Sequence, residues 1–324
     1  MSLLDGATLT LVLLFAVLIS AALAPLETLG WWAGWFGPDE AKSAELEPPP
    51  TPSKAKQFVV FLAGIHTVSE ETYARREQGL LESLRQRLPD AAIVEIFPYS
   101  VNNRALTGQR FFSWFWRLVL NLKLSRFGVA GIIINLRNIF QVAVSADRRY
   151  GPLYNQGTAE TIFEALRQHG YAPGSGVPVS LIGYSGGGQI AAGTASYLKP
   201  MLDAPLTIIS LGGIMASEDG MLVLDGLYHL VGSRDRVHKL GYLFPGRWKF
   251  LPYSAWNLAL AKGIAKIIPM GPVDHTGRDG YLDINFTLPD GRTSMQQTVD
   301  VISAIVSGED VAQFGHQTSV AKIQ

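Results

Sequence analysis

The sequence predicts an α/β protein: a mostly parallel central sheet with helices on both faces, a helical cap insert, and an N-terminal transmembrane helix. Three observations carry this. Short apolar runs recur along the chain, most closed by glycine or proline, as strands buried on both faces should be. Helical-period segments lie between several of them, and such alternation builds a parallel sheet covered by helices. At one run-to-helix junction a serine stands between glycines.

The N-terminal region, residues 1–36, reads as a membrane anchor. The 21 residues from Gly6 to Leu26 carry no charge. As a helix they would span about 30 Å, the thickness of a bilayer core. Trp31, Trp32 and Trp35 follow, as in an interfacial aromatic belt. No Lys or Arg precedes the run, and Pro25 follows Ala22-Leu23-Ala24, which argues against a cleaved signal peptide. Residues 37–56 form a proline-rich linker with Pro48-Pro49-Pro50 and Pro52, semi-extended in character. Lys42, Lys54 and Lys56 follow the span and no basic residue precedes it, which tilts the expected side of the domain towards the cytoplasm.

The folded domain is expected over residues 57–307. Phe58 to Ala63 is a buried strand ending in Gly64-Ile65-His66, and Ser69 to Leu88 is helical, with Leu80, Leu81, Leu84 and Leu88 on one face. Ala91 to Phe97 is the next strand. A helix over Thr158 to His169 precedes the run Val177 to Ile182, and a helix over Gln189 to Leu198 follows it. Strands over Leu206 to Leu211 and Gly226 to Val231 come next, and Ala261 to Met270 holds the last. Residues 308–324 are a polar tail.

Residues 101–150 interrupt the alternation and are expected to form the cap. From Val101 to Ala146 there are six basic residues, Arg104, Arg110, Arg117, Lys123, Arg126 and Arg137, and no acidic one. Phe111, Phe112, Trp114, Phe115 and Trp116 lie among them. Two readings fit: a face resting on anionic headgroups, or a lid whose aromatics pack on the domain.

Gly183-Tyr184-Ser185-Gly186-Gly187 fits G-x-S-x-G on a strand-to-helix turn, the nucleophile elbow that exposes a serine hydroxyl. A serine needs a base to take its proton and a third group to orient that base. Asp235, in Gly232-Ser233-Arg234-Asp235, lies just past a strand end, on the rim where such a serine is displayed. Its alternative is a turn aspartate paired with Arg234 or Arg236. Asp203 and Asp225 precede strands and are poorer candidates. Of six histidines, His66 and His169 precede the serine, His229 lies within a strand, His238 follows Asp235 too closely, and His316 is in the tail. That leaves His275, in the loop Gly271 to Gly277.

The composition narrows the chemistry. The net charge is zero, which argues against bulk attraction to nucleic acid. There is no cysteine, so disulfides, thiolate catalysis and zinc–thiolate sites are excluded.

The strand order, the elbow, Gly232-Ser233-Arg234-Asp235 and His275 together resemble the α/β-hydrolase family over Gln57 to Ser307. The resemblance implies a Ser185, Asp235, His275 triad. It also implies an oxyanion hole from the backbone N–H groups of Gly186 and Ile65. Many members carry His-Gly before the oxyanion residue, whereas this chain has Ala63-Gly64 with His66 after it. His66 and Tyr184 are candidate pocket residues. The expected function is a membrane-anchored serine hydrolase cleaving a carboxylic ester, lipid-like by preference, with no metal or organic cofactor. A non-catalytic binding or scaffold protein and an acyltransferase are the alternatives.

Overall fold

A computed structural model describes residues 51–65, 75–99 and 129–311. The expected anchor at 1–36, the linker up to residue 50, His66, most of the 101–150 insert and nearly all of the tail lie outside these residues. Among the described residues no helix is long and apolar enough to cross a membrane.

Among the described residues six parallel strands form one sheet: β1 (Gln57–Leu62), β2 (Ala91–Ile96), β3 (Val179–Tyr184), β4 (Leu206–Leu211), β5 (Gly226–Val231) and β6 (Ala265–Pro269). Their order is β2-β1-β3-β4-β5-β6, with every neighbouring pair parallel. The α-helices among the described residues are α1 (Arg75–Arg87), α2 (Val129–Ala146), α3 (Gly151–Gln168), α4 (Gly187–Leu202), α5 (Ala255–Ala261) and α6 (Ser294–Val306).

The period-2 alternation of β1 divides the core. Phe58, Val60 and Leu62 face one layer, where Ile162 of α3, Leu198 of α4 and Trp256 of α5 pack. Val59, Phe61 and Ala63 face the other, with Leu81 and Leu84 of α1 and Ile302 and Ile305 of α6. Both faces are therefore covered by helices, which is why the central strands read as unbroken apolar runs.

The winding places the site. Because all strands are parallel, their C-terminal ends share one edge. The chain steps outward from β1 to β2, then returns to the other side of β1 for β3 and continues through β4, β5 and β6. Such a reversal opens a crevice between the loops that leave β1 and β3. Ile65 lies in the first of those loops and Ser185 in the second.

Candidate active site

β3 ends at Tyr184 and α4 begins at Gly187, so Ser185 and Gly186 alone make the turn. Ser185 has φ of 54°, a left-handed conformation costing an L-residue roughly 1–2 kcal/mol. The surroundings hold it there. Its N–H donates to the Leu211 carbonyl, and its own carbonyl accepts from the N–H groups of Gly188 and Ile214, each at 3.1 Å. The flanking glycines are required by space. A Cβ on Gly183 would lie 2.6 Å from the Gly187 carbonyl oxygen, and one on Gly187 would lie 2.4 Å from that of Leu62.

Three side chains from separate loops meet at this turn. His275 Nε2 lies 2.9 Å from Ser185 Oγ, and His275 Nδ1 lies 2.9 Å from Asp235 Oδ2. All three are buried, Ser185 and His275 at 6 % exposure and Asp235 at 0 %. A carboxylate can only accept, so Nδ1 carries the proton and Nε2 presents its lone pair to the serine hydroxyl. Burial pushes the Asp235 carboxyl up. Interactions with His238 and His275, and the Tyr281 hydroxyl, outweigh it and hold the group well below the usual carboxylate range. Asp235 Oδ1 also accepts the backbone N–H groups of Val237 at 2.7 Å and His238 at 3.2 Å. Arg234 does not pair with Asp235; its partner is Asp279 at 3.6 Å.

Two tyrosines complete the setting. Tyr281 accepts the Gly232 N–H at 2.7 Å and donates to Asp235 Oδ2 at 2.8 Å. Its ring stands edge-on to the imidazole at 6.3 Å. Tyr184 donates to the His275 carbonyl at 2.9 Å and stacks on the imidazole at 5.7 Å and 22°. It is therefore buried behind the histidine rather than set in an open pocket. Burial pushes both phenols well above their ordinary range, so both remain donors.

Ile65 and Gly186 stand side by side: a Cβ on Gly186 would lie 2.8 Å from Ile65 Cγ2 and the same from Val142 Cγ2. The loop carrying Ile65 is tied from three sides. Asn138 Nδ2 donates to the Ile65 carbonyl at 2.5 Å, Tyr99 Oη to the Ala63 carbonyl at 2.8 Å, and the Gly64 N–H to Glu77 Oε1 at 3.2 Å. Arg137 in turn donates to the Tyr99 carbonyl at 2.9 Å and Asn138 Oδ1 at 3.1 Å. Of the two readings of the insert, Arg137 fits the packed lid and not the headgroup face: it is 1 % exposed and is held by the Tyr99 carbonyl and the Asn138 side chain. The other five basic residues of that insert lie outside the described residues.

A cavity of about 910 Å³ lies on the flank of α4, away from Ser185. Ser145, Asn155, Gly193, Glu218, Phe244 and Tyr253 are among its walls. Gln189, four residues after the serine, joins this wall to the elbow helix: its Nε2 donates to Glu218 Oε1 and its Oε1 accepts the Ala216 N–H, both at 2.7 Å.

No family model and no curated protein matches this chain. Among solved structures it is similar to a dienelactone hydrolase from Anabaena variabilis ATCC 29413, at 15 % identity and TM-score 0.36, over 80 % of this chain and 89 % of that one. It is also similar to a candidate cell surface hydrolase from Lactobacillus plantarum WCFS1, at 13 % identity and TM-score 0.40, over 82 % and 98 %. Likenesses this faint carry no argument about what the chain does; the geometry of its own residues has to.

Proposed function

We propose that this protein is a serine hydrolase of the α/β-hydrolase type that cleaves a carboxylic ester, with a lipid-like acyl ester preferred. The observation that carries the reading is the continuous hydrogen-bonded chain from Ser185 Oγ through His275 to Asp235. In the first step Ser185 Oγ attacks the ester carbonyl while His275 Nε2 takes its proton. The ionised Asp235 holds the Nδ1–H and stabilises the imidazolium. The backbone N–H groups of Gly186 and Ile65 stabilise the oxyanion, a task worth roughly 3–4 kcal/mol per donor in comparable sites. Collapse of the tetrahedral species breaks the ester C–O bond, and His275 returns the proton to the leaving alcohol. Water, deprotonated by the same histidine, then attacks the acyl-serine; the acyl–Oγ bond breaks, His275 returns the proton to Ser185 Oγ, and the acid is released.

The lipid-like preference rests on the sequence: an apolar run long enough to span a bilayer and a proline-rich tether keep the domain beside its substrate. The test is labelling with a fluorophosphonate probe followed by a chain-length series of acyl esters. Wild type should label and Ser185→Ala should not. Equal labelling of both proteins refutes the assignment, and faster turnover of short water-soluble esters than of long-chain ones refutes the preference.

A further inference from the structure

We propose that the segment from Lys239 to Tyr253 is a membrane-binding face that seats on an anionic phospholipid surface. Seven of the eleven large apolar side chains left exposed among the described residues fall between positions 240 and 253. Tyr253 is 89 % exposed, Leu243 74 % and Phe250 73 %, with Leu240, Tyr242, Trp248 and Leu251 beside them in the sequence. Isolated exposed apolar residues are ordinary; a cluster of this kind marks a contact surface.

The cluster is held in place. Trp248 Nε1–H donates to the Tyr242 carbonyl at 2.8 Å, and Asn257 Nδ2 donates to the carbonyls of Trp248 at 2.8 Å and Leu251 at 2.9 Å. Beneath it the buried guanidinium of Arg247 lies 3.5 Å from the centroid of the Trp256 ring and 5.8 Å from that of Tyr242. The Arg247 guanidinium and the Trp248 Nε1–H turn inward, while the aromatic and aliphatic groups are presented outward. Trp248 and Phe250 meet at 5.2 Å between ring centroids, so they form one ridge.

Charge selects the partner. From Arg236 to Val273 there are six basic residues and no acidic one. Lys239 and Lys249 are exposed within the ridge itself. Lysine is depleted from protein–protein contact surfaces, whereas Trp, Tyr and Phe interleaved with lysine suit the headgroup boundary of an anionic bilayer. The expected N-terminal anchor supplies proximity, since a linker of this length reaches about 60 Å at most when extended. Phe244, Pro245, Gly246 and Tyr253 of the same segment also wall the mouth of the 910 Å³ cavity. A seated segment therefore brings that cavity to the lipid. None of this depends on Ser185 chemistry.

The chain has no cysteine, so a single one can report position. Phe250→Cys and, as a control on α1, Gln86→Cys are labelled with a polarity-sensitive fluorophore in the full-length protein. Each is reconstituted into phosphatidylcholine vesicles with or without phosphatidylglycerol. With phosphatidylglycerol present, the probe at 250 should shift to the blue and be quenched by brominated acyl chains, while the probe at 86 stays water-like. Replacing Lys239 and Lys249 by Gln should lower the ratio of seated to free segment about five-fold per lysine, equivalent to about 1 kcal/mol each. High salt should act in the same direction. A water-like probe at 250 in both lipids overturns the proposal, as does equal quenching at 250 and 86. A blue-shifted probe that brominated lipid cannot quench also overturns it, because the ridge is then covered by protein, either the N-terminal segment or a second copy. Esterase activity is not part of the readout, so this proposal and the hydrolase reading fail separately.

Discussion

Replacing Asp235 by Asn tests the site most sharply, because the structure fixes what the amide must do. Asp235 uses both oxygens as acceptors: Oδ1 takes the N–H groups of Val237 and His238, and Oδ2 takes His275 Nδ1–H and the Tyr281 hydroxyl. Asparagine has one oxygen. If that oxygen stays with the two backbone N–H groups, the NH₂ faces His275 Nδ1. The imidazole must then carry its proton on Nε2, where it can no longer accept from Ser185. A wrong tautomer of this kind costs about 10⁴ in kcat, equivalent to about 5.5 kcal/mol of barrier. If the amide flips instead, two half-buried backbone N–H groups face an NH₂, at a stability cost of roughly 1 kcal/mol each. Ester turnover and thermal unfolding, measured on the same preparation, separate the two. Either activity falls by about four orders of magnitude with little change in stability, or the protein unfolds several degrees lower. A variant within tenfold of wild-type turnover and with an unchanged Tm refutes the roles given to Asp235 and His275.

Tyr281→Phe should cost about 1–3 kcal/mol, because it leaves the buried Gly232 N–H without its acceptor, and turnover should fall far less than in Asp235→Asn; urea unfolding and esterase rates check both. Ser185→Gly should be more stable than Ser185→Ala by about 1 kcal/mol, since only glycine occupies φ of 54° without strain, and neither should label; denaturation midpoints decide it. Gly187→Ala should lose at least about 3 kcal/mol or fail to fold, because its Cβ would meet backbone carbonyls rather than a side chain that can move; soluble yield and the unfolding midpoint report this. Burial, aided by Asp219, raises the Glu218 carboxyl against the opposing hydrogen bond from Gln189. A raised folded pKa means stability that is complete below the ordinary glutamate value of about 4.3 and is lost as pH rises through the folded one. Glu218→Gln should therefore gain on wild type between pH 4 and pH 7 in urea titrations, and no relative gain contradicts the shift.

The central strands were legible because they are buried on both faces and so had to be apolar runs. The runs read for β1 to β5 lie within about two residues of the strands observed, whereas the half-exposed edge strand β6 was only bracketed by Ala261 to Met270. The elbow was legible because a turn that tight leaves no room for a Cβ at Gly183 or Gly187, so packing is written directly into residue type. Asp235 and His275 were reached by position, one past a strand and one by elimination among six histidines. Helix boundaries were less legible. α3 starts at Gly151, seven residues before the apolar periodicity begins at Thr158. α6 was passed over although Thr293 and Gln296 form a capping box, a T-x-x-Q signal visible in the sequence.

The supporting residues left no such trace, for a physical reason. Arg137 and Asn138 break an apolar run, and periodicity reads such breaks as solvent-facing. They are instead among the most buried side chains, because the carbonyls of Tyr99 and Ile65 leave the sheet edge with no strand neighbour and need donors. Tyr184 read as a pocket residue only from its place inside the elbow, and nothing in the sequence marked Tyr281, yet their hydroxyls meet backbone and carboxylate at the crevice. In each case a long side chain crosses from the packed layer to loop backbone that the parallel sheet cannot pair. The demand is set by topology, which brings residues 65, 99, 137, 184 and 281 together from five elements or loops. Nothing within any one of those stretches announces it. The strained Ser185 backbone is held by the end of β4 and the loop after it, through Leu211 and Ile214, while its hydroxyl meets His275 Nε2 from the loop after β6.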